Sequence, residues 1–240
     1  MNSEAMAPYA WALLDFHRGG PTVEVTEILD DGWSTAMNPG SFFRDPEEFG
    51  VEKTALSLCS GRVLDVGAGT GIHSLFLQRK GFNVCAIDIL PEAVAIMREK
   101  GVTDARVADV MTFVDSDFTT VLMLGHGIGL VGDLSGLDSF LNHLPDLLEP
   151  TGQALLTSVD VRRWREPQGL AYTNRNVSSG RYAGEMRMHF EYKGLVGPQF
   201  SWLHVDPETL SRRAAKHGFV CELIEQDQEA NYLARLSHYD

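Results

Sequence analysis

The sequence predicts an α/β fold, a mostly parallel sheet doubly wound by helices on both faces. From Arg62 onward, apolar runs of strand length alternate with amphipathic helical patterns, the order that covers a parallel sheet on its two sides. The first run, Val63-Leu64-Asp65-Val66, passes at once into the glycine turn Gly67-Ala68-Gly69-Thr70-Gly71 and then into a helical pattern. A length of 240 residues suits one domain with a large core, so residues 1–240 are read as a single domain.

The elements follow in order. After the glycine turn, Ile72, Leu75, Phe76 and Leu77 make one apolar side of a helix, and Gly81 supplies the left-handed residue that stops it. A strand from Asn83 to Ile87 ends in Asp88. Pro91 suits the first turn of the next helix, Ala93, Val94, Ile96 and Met97 form its buried side, and Gly101 ends it. Ala105 to Ala108 is a short strand ending in Asp109. Thr119 to Leu124 is a strand running into Gly125-His126-Gly127-Ile128-Gly129. Leu137, Phe140, Leu141 and Leu144 place a helix between Leu134 and Leu148, with Pro145 expected to kink or split it. After a turn at Pro150-Thr151-Gly152, Ala154 to Val159 forms a strand ending in Asp160. Asp206 reads as an N-cap with Pro207 behind it and Gly218 past the helix end. Two closing strands, about 220–225 and 232–236, complete the sheet.

Two stretches stand outside this alternation: an amino-terminal cover at about 1–58 and a lid insertion at about 161–205. Ligand sites of doubly wound folds form at the carboxyl ends of the strands, where such insertions lie, so both are candidate substrate covers; capping of the core is the other reading.

Composition narrows the function. With 20 Lys+Arg against 33 Asp+Glu the formal charge is −13, which repels phosphate backbones and anionic membrane surfaces, so neither nucleic acid nor membrane is expected as a partner. Cys59, Cys85 and Cys221 offer neither a disulfide framework nor zinc-ligand spacing, and a reducing, cytoplasmic setting fits them. No signal-peptide pattern opens the chain and no run of about 18 apolar residues occurs. The monomer and the homodimer both remain open.

A strand, a glycine turn and a helix bring backbone N–H groups and a positive helix end close to a ligand, which implies a nucleotide. The glycines at 67, 69 and 71 depart from the dinucleotide spacing, since the position three after Gly69 is Ile72, and no G-K-[ST] follows. Asp65-Val66-Gly67-Ala68-Gly69-Thr70-Gly71 instead resembles the first motif of class I S-adenosylmethionine-dependent methyltransferases. The resemblance continues through Asp88, Asp109 and the turn Leu148-Glu149-Pro150-Thr151-Gly152, where Thr151 departs from the usual Pro-Gly-Gly. It covers about residue 60 to the end. Ser41-Phe42-Phe43-Arg44, the Gly125–Gly129 loop and Phe190-Glu191-Tyr192-Lys193-Gly194 look like a bacterial subgroup of small-molecule methyltransferases.

The resemblance implies a Rossmann-like, seven-stranded sheet with an antiparallel last strand and S-adenosyl-L-methionine as cofactor. It puts Asp88 on the ribose hydroxyls and Asp109 on the adenine amino group, with Asp65, Gly67, Ala68, Gly69, Gly71, Ile89, Val110 and Gly125 around the cofactor. Asp65 lies inside its strand, where orienting the loop is the alternative to touching ligand, and Asp109 has the alternative of capping the next turn. Phe42, Phe43 and Arg44 are candidates to cover the methionine end, with core packing as the other reading of the two rings.

Methyl transfer from a sulfonium is an in-line displacement, so the protein must align the nucleophile and, where needed, take its proton. His126 and Asp160, at the ends of the fourth and fifth strands, are the candidate catalytic residues. His126 is either a general base or a side chain packed over the cofactor, and Asp160 either assists or pairs with Arg162 or Arg163. Arg162, Arg163, Arg165, Arg175, Arg181 and Arg187 stand against only Glu166 and Glu185 between 161 and 190. They serve an anionic substrate or bind acidic parts of the same molecule. Trp202 and Tyr192 line an aromatic pocket or are ordinary strand residues. His189-Phe190-Glu191 has the alternation of a metal-ligand pair, but a pair is not a site, and no metal is expected. No Asn/Asp-Pro-Pro-aromatic motif follows the fourth strand and no cysteine follows a proline, so the expected acceptor is a small-molecule O or N nucleophile. Aminopropyl transfer on the same fold, or a non-catalytic cofactor-binding module, are the alternatives.

Overall fold

The structure is a computed structural model that describes residues 3–239. In chain order the elements are α1 (Ala7–His17), β1 (Val25–Leu29), β2 (Ser34–Met37), α2 (Gly50–Leu58), β3 (Arg62–Val66), α3 (Ile72–Arg79), β4 (Asn83–Asp88), α4 (Pro91–Glu99) and β5 (Ala105–Val107). There follow β6 (Phe118–Met123), α5 (Leu134–Leu147), β7 (Leu148–Val159), α6 (Pro167–Ser178), β8 (Glu185–Tyr192), β9 (Leu195–Val196), β10 (Phe200–Leu203), α7 (Pro207–Lys216), β11 (Phe219–Gln226) and β12 (Asn231–His238). Short 3₁₀ turns occupy Pro39–Phe43, Gly127–Val131 and Val161–Arg163.

The seven-stranded sheet has the order β11-β12-β7-β6-β3-β4-β5. Five neighbouring strands, β7, β6, β3, β4 and β5, are parallel, and β12 runs antiparallel between β7 and β11. The expected Rossmann-like sheet with an antiparallel last strand is therefore present. Its central strands are covered on both faces, which is why Val63, Leu64, Val66 and Val121, Leu122, Met123 are at most 2% exposed and read as continuous apolar runs. The strand order reverses between β3 and β6, where chains leave toward opposite sides and a crevice opens at the carboxyl ends.

Two local expectations change. Helix α5 is not split at Pro145 but runs on to Leu147, because a proline two residues from the end leaves only the Leu141 carbonyl without its helical donor. The Pro150-Thr151-Gly152 segment lies within β7, where the β6 pairing shifts register between Phe118 and Thr120, so it is a bulge instead of a turn between elements.

The larger finding concerns the two stretches outside the alternation. Strands β1 and β2 from the amino-terminal stretch pair with β8, β9 and β10 from the insertion in one five-stranded antiparallel sheet, with Thr26 to Leu29 registered on Glu191 to Met188. The two covers are one structure. At the β8–β9 hairpin Lys193 and Gly194 both have positive φ, 48° and 81°, as a two-residue turn of primed type requires. This sheet docks on the main domain through Trp202, whose indole fills the space above Gly129 so closely that no side chain fits at 129.

Candidate active site

The crevice is lined by Val66, Gly67, Ile87, Asp88, Ile89, Ala108, Asp109, Val110 and Leu130. Five of the expected residues, Gly67, Asp88, Ile89, Asp109 and Val110, meet there because β3, β4 and β5 end side by side. Gly67, Gly69 and Gly71 have φ of 65°, 55° and 75°, the left-handed region that other residues enter only with strain. Gly69 donates its N–H to Asp88 Oδ2 at 2.9 Å, and Leu90 donates to Oδ1 at 2.9 Å. Burial pushes the Asp88 carboxyl up to about 6, against those two backbone bonds. Asp109 accepts from Met111 N at 2.9 Å through Oδ1, so it caps the next turn and lines the crevice at once.

Asp65 sits elsewhere. It is 1% exposed, accepts a hydrogen bond from the Ser74 hydroxyl at 2.5 Å on α3, and is not among the crevice-lining residues; it holds the glycine turn from behind. Arg44 donates to Glu52 Oε2 at 2.5 Å, and the same oxygen lies 3.0 Å from His73 Nε2. Burial raises Glu52, but the His73 hydrogen bond and the charges of His73 and Arg44 outweigh it and hold the carboxyl below its usual range. Arg44 Nε is buried without a hydrogen-bond partner. The Phe43 ring packs on Phe16 and His17 of α1, at 5.0 and 6.0 Å between centroids, and so supports the turn instead of facing the crevice. Phe42 meets Tyr9 edge-on at 5.1 Å, and the Thr70 hydroxyl donates to the Phe42 carbonyl, tying this turn to the glycine loop.

Tyr9 carries no motif that would single it out. It stacks on Phe190 at 5.6 Å, and burial and the Asp88 charge raise its phenol while Arg44 opposes them.

His126 has φ 60° between Gly125 and Gly127, an uncommon backbone state for a residue with a side chain. Its N–H donates to Thr157 Oγ1 at 3.0 Å. Asn231 donates through Nδ2 to Asp227 Oδ2 at 2.7 Å, which turns its Oδ1 to His126 Nε2 at 2.8 Å. An amide oxygen only accepts, so Nε2 carries the ring proton and Nδ1 holds a free lone pair. Burial lowers the His126 pKa, with the Asn231 hydrogen bond opposing, so the ring is neutral near pH 7. A Cβ on Gly127 would lie 4.0 Å from the Val66 carbonyl, and Leu130 packs over Gly67, so this loop adjoins the glycine turn.

Asp160, 4% exposed, is occupied. Arg162 reaches Oδ1 through Nε and Oδ2 through a terminal nitrogen, both at 2.8 Å, and extends to Asp206 and Glu208. Of the two readings of Asp160, this geometry favours pairing with Arg162 over assisting catalysis, since a carboxylate held by a guanidinium fork is a poor proton acceptor. Arg175 and Arg181 similarly pair with Asp30, so half of the arginine-rich segment binds acids of the same chain. His189 and Glu191 face each other at 3.4 Å. Among the described residues, no group of three or more potential ligands could hold a metal ion, and no helix is long and apolar enough to cross a membrane.

A mostly parallel sheet reversing beside a three-glycine turn, with acids ending the next two strands, defines a nucleotide-binding α/β domain. The comparisons specify it further. A family profile described as a methyltransferase domain matches residues 45–224. A solved S-adenosylmethionine-dependent methyltransferase from Bacteroides fragilis, in complex with S-adenosyl-L-homocysteine, is 32% identical, with 100% of this chain and 98% of that one covered at a TM-score of 0.87. The chain belongs to the methyltransferase family and is an S-adenosylmethionine-dependent methyltransferase. Ubiquinone biosynthesis O-methyltransferases from Xanthomonas euvesicatoria and Rickettsia conorii are 31% and 28% identical over 134 and 121 residues. Those matches cover 48% of this chain and only 50% and 40% of the two relatives. The CcbJ methyltransferase of Streptomyces caelestis shares the fold at 14% identity and a TM-score of 0.61.

Proposed function

We propose that this methyltransferase acts on an oxygen or nitrogen nucleophile of a small molecule, with His126 as general base. The observation that carries the reading is the Asp227–Asn231–His126 chain, which leaves one ring nitrogen unprotonated beside the cofactor loop. Similarity to ubiquinone O-methyltransferases over half their length supports a small acceptor.

The crevice fits the cofactor. A Cβ at Gly69 would project into space where only the Gly67 carbonyl lies within 4 Å, so the glycine leaves room against the backbone. Asp88 offers acceptors to the ribose hydroxyls, and Asp109 Oδ2, which no described residue occupies, offers one to the adenine amino group. Ile89 and Val110 wall the adenosine, the backbone of Gly67, Ala68 and Gly71 curves around it, and Arg44 Nε supplies a donor for the methionine carboxylate. Gly125 keeps the start of the His126 loop free of side chains on this side. Phe42 and Tyr9 take the covering role that Phe43 does not fill.

Bound S-adenosylmethionine supplies a methyl group on an activated sulfonium, with S-adenosylhomocysteine as leaving product. His126 Nδ1 takes the nucleophile's proton as the new bond to carbon forms, and the Asn231 oxygen, polarised by Asp227, stabilises the imidazolium through Nε2–H. The antiparallel sheet packs on the loop that carries His126, with Trp202 filling the space above Gly129.

The test uses labelled methyl transfer to a panel of small phenols, alcohols and amines. His126→Asn keeps a residue type that tolerates the left-handed backbone. It should lower turnover by about 10²-fold or more, within the range for general base catalysis, and leave S-adenosylhomocysteine affinity within about threefold. Equal losses in turnover and affinity would make His126 a packing residue.

A further inference from the structure

We propose that the cavity on the inner face of the antiparallel sheet binds a small cationic amine on an apolar or aromatic frame, with its ammonium group at Glu27. The inference rests on the proposed role of His126, beyond which the acceptor lies, and it names the acceptor's chemical class.

The cavity has a volume of about 200 Å³ and is lined by Glu27, Trp33, Thr35, Trp164, Met188 and His204, among others. Its position follows from register. Glu27 stands opposite Thr35 on one side and Phe190 on the other, and Leu29 stands opposite Met188, so one face of the sheet carries Glu27 among apolar side chains. The inner residues of β8, Met186, Met188, Phe190 and Tyr192, are 2–5% exposed. A carboxylate on such a face costs free energy unless it is paired. Among the described residues Glu27 has neither an ion pair nor a side-chain hydrogen bond, and no lysine or arginine lines the cavity. Burial accordingly raises the Glu27 pKa. The fold gains nothing from this carboxyl, whereas a ligand cation would complete it.

The walls suit the same occupant. Trp33 and Trp164 meet edge to face at 6.1 Å, and indole faces attract cations. Methionine sulfurs at 186 and 188 are polarisable partners for a ring. His204 continues the wall from Trp164, at 6.2 Å, to His126, at 5.7 Å. Neither His204 ring nitrogen has a hydrogen-bond partner among the described residues, and Nδ1 is fully enclosed. Burial, with the His126 charge second, pushes its pKa down to about 3, so it adds no positive charge that would welcome an anion. The amine is thus the recognition group at one end, and the reacting atom points along His204 toward His126.

The experiment is calorimetric titration of the full chain, saturated with S-adenosylhomocysteine, at pH 8. The probes are phenethylamine, 2-phenylethanol and phenylacetate, which share a frame and differ in charge. Phenethylamine should bind at least tenfold more tightly than phenylacetate, with 2-phenylethanol between. Glu27→Gln, nearly isosteric, should reduce the preference below threefold while still binding 2-phenylethanol, which shows the cavity intact. Equal binding of amine and acid by the unaltered protein, or a preference that survives Glu27→Gln, overturns the proposal. The first comparison needs no variant, so misfolding of Glu27→Gln cannot rescue it. The two readings fail separately: full turnover by His126→Asn removes the base and leaves the charge preference standing, and loss of the charge preference removes the amine cavity and leaves the base.

Discussion

Asp88 provides the sharpest test of the cofactor site. Its carboxyl is 7% exposed, and burial raises its pKa from an ordinary 3.8 to about 6. Ribose hydroxyls donating to it favour the ionised form, so the cofactor-bound pKa must fall below that of the free protein. The sign follows. Above pH 6 the free protein already carries the carboxylate and binds at full strength; below pH 6 a proton must be released on binding, and affinity declines. With one proton released per ligand bound, S-adenosylhomocysteine affinity should drop about tenfold, or about 1.36 kcal/mol, for each pH unit between 6 and the bound-state pKa. Asp88→Ala removes both the hydrogen bonds and the titration. At pH 8 it should cost about 1.5–3 kcal/mol, the range for hydrogen bonds to a charged group, and its affinity should be flat from pH 5 to 8. Calorimetry at four pH values on both proteins decides the matter. An equal pH slope in the two, or an alanine variant that binds within twofold at pH 8, refutes the reasoning.

Further outcomes are expected elsewhere in the site. Asn231→Ala withdraws the hydrogen bond that raises the His126 pKa, so the acid limb of the kcat/KM profile should move to lower pH and the maximal rate should fall; a lower rate with an unmoved limb would leave Asn231 a packing role only. Gly69→Ala forces an L side chain to φ 55°, which costs about 1–2 kcal/mol of stability, and strains the turn whose N–H holds Asp88, so thermal stabilisation by S-adenosylhomocysteine should be reduced along with the melting temperature itself. Gly129→Ala would overlap the Trp202 indole and push β10 away; a loss of about 1–3 kcal/mol in denaturant unfolding is expected, and an unchanged midpoint would show that the sheet docks otherwise.

The main sheet was legible because its signals are local. The apolar runs at 63–66 and 119–124, the glycines that end α3 and α4, and the Asp206-Pro207 start of α7 each state their structure within a few residues. Gly81, Gly101 and Gly218 do take positive φ, at 91°, 97° and 83°. The acids of the crevice were legible for the same reason, since a strand end fixes where the next side chain stands.

The substrate side was not. Pairing of Thr26 with Glu191 joins residues 165 positions apart, and no local pattern states which distant strand completes a sheet. The Asn231–His126 bond and the meeting of Glu27, Trp33, Trp164 and His204 are likewise products of long-range packing. Phe43 and Asp160 illustrate the limit from the other direction: residue type and position suited a ligand, yet α1 and Arg162 occupy them. The doubly wound sheet, the glycine turn and the acids beside it could be read from residue order alone, because backbone conformation and strand ends are set by near neighbours. The substrate side took shape through long-range packing, since one cavity is walled by chain segments that meet only when the second sheet closes.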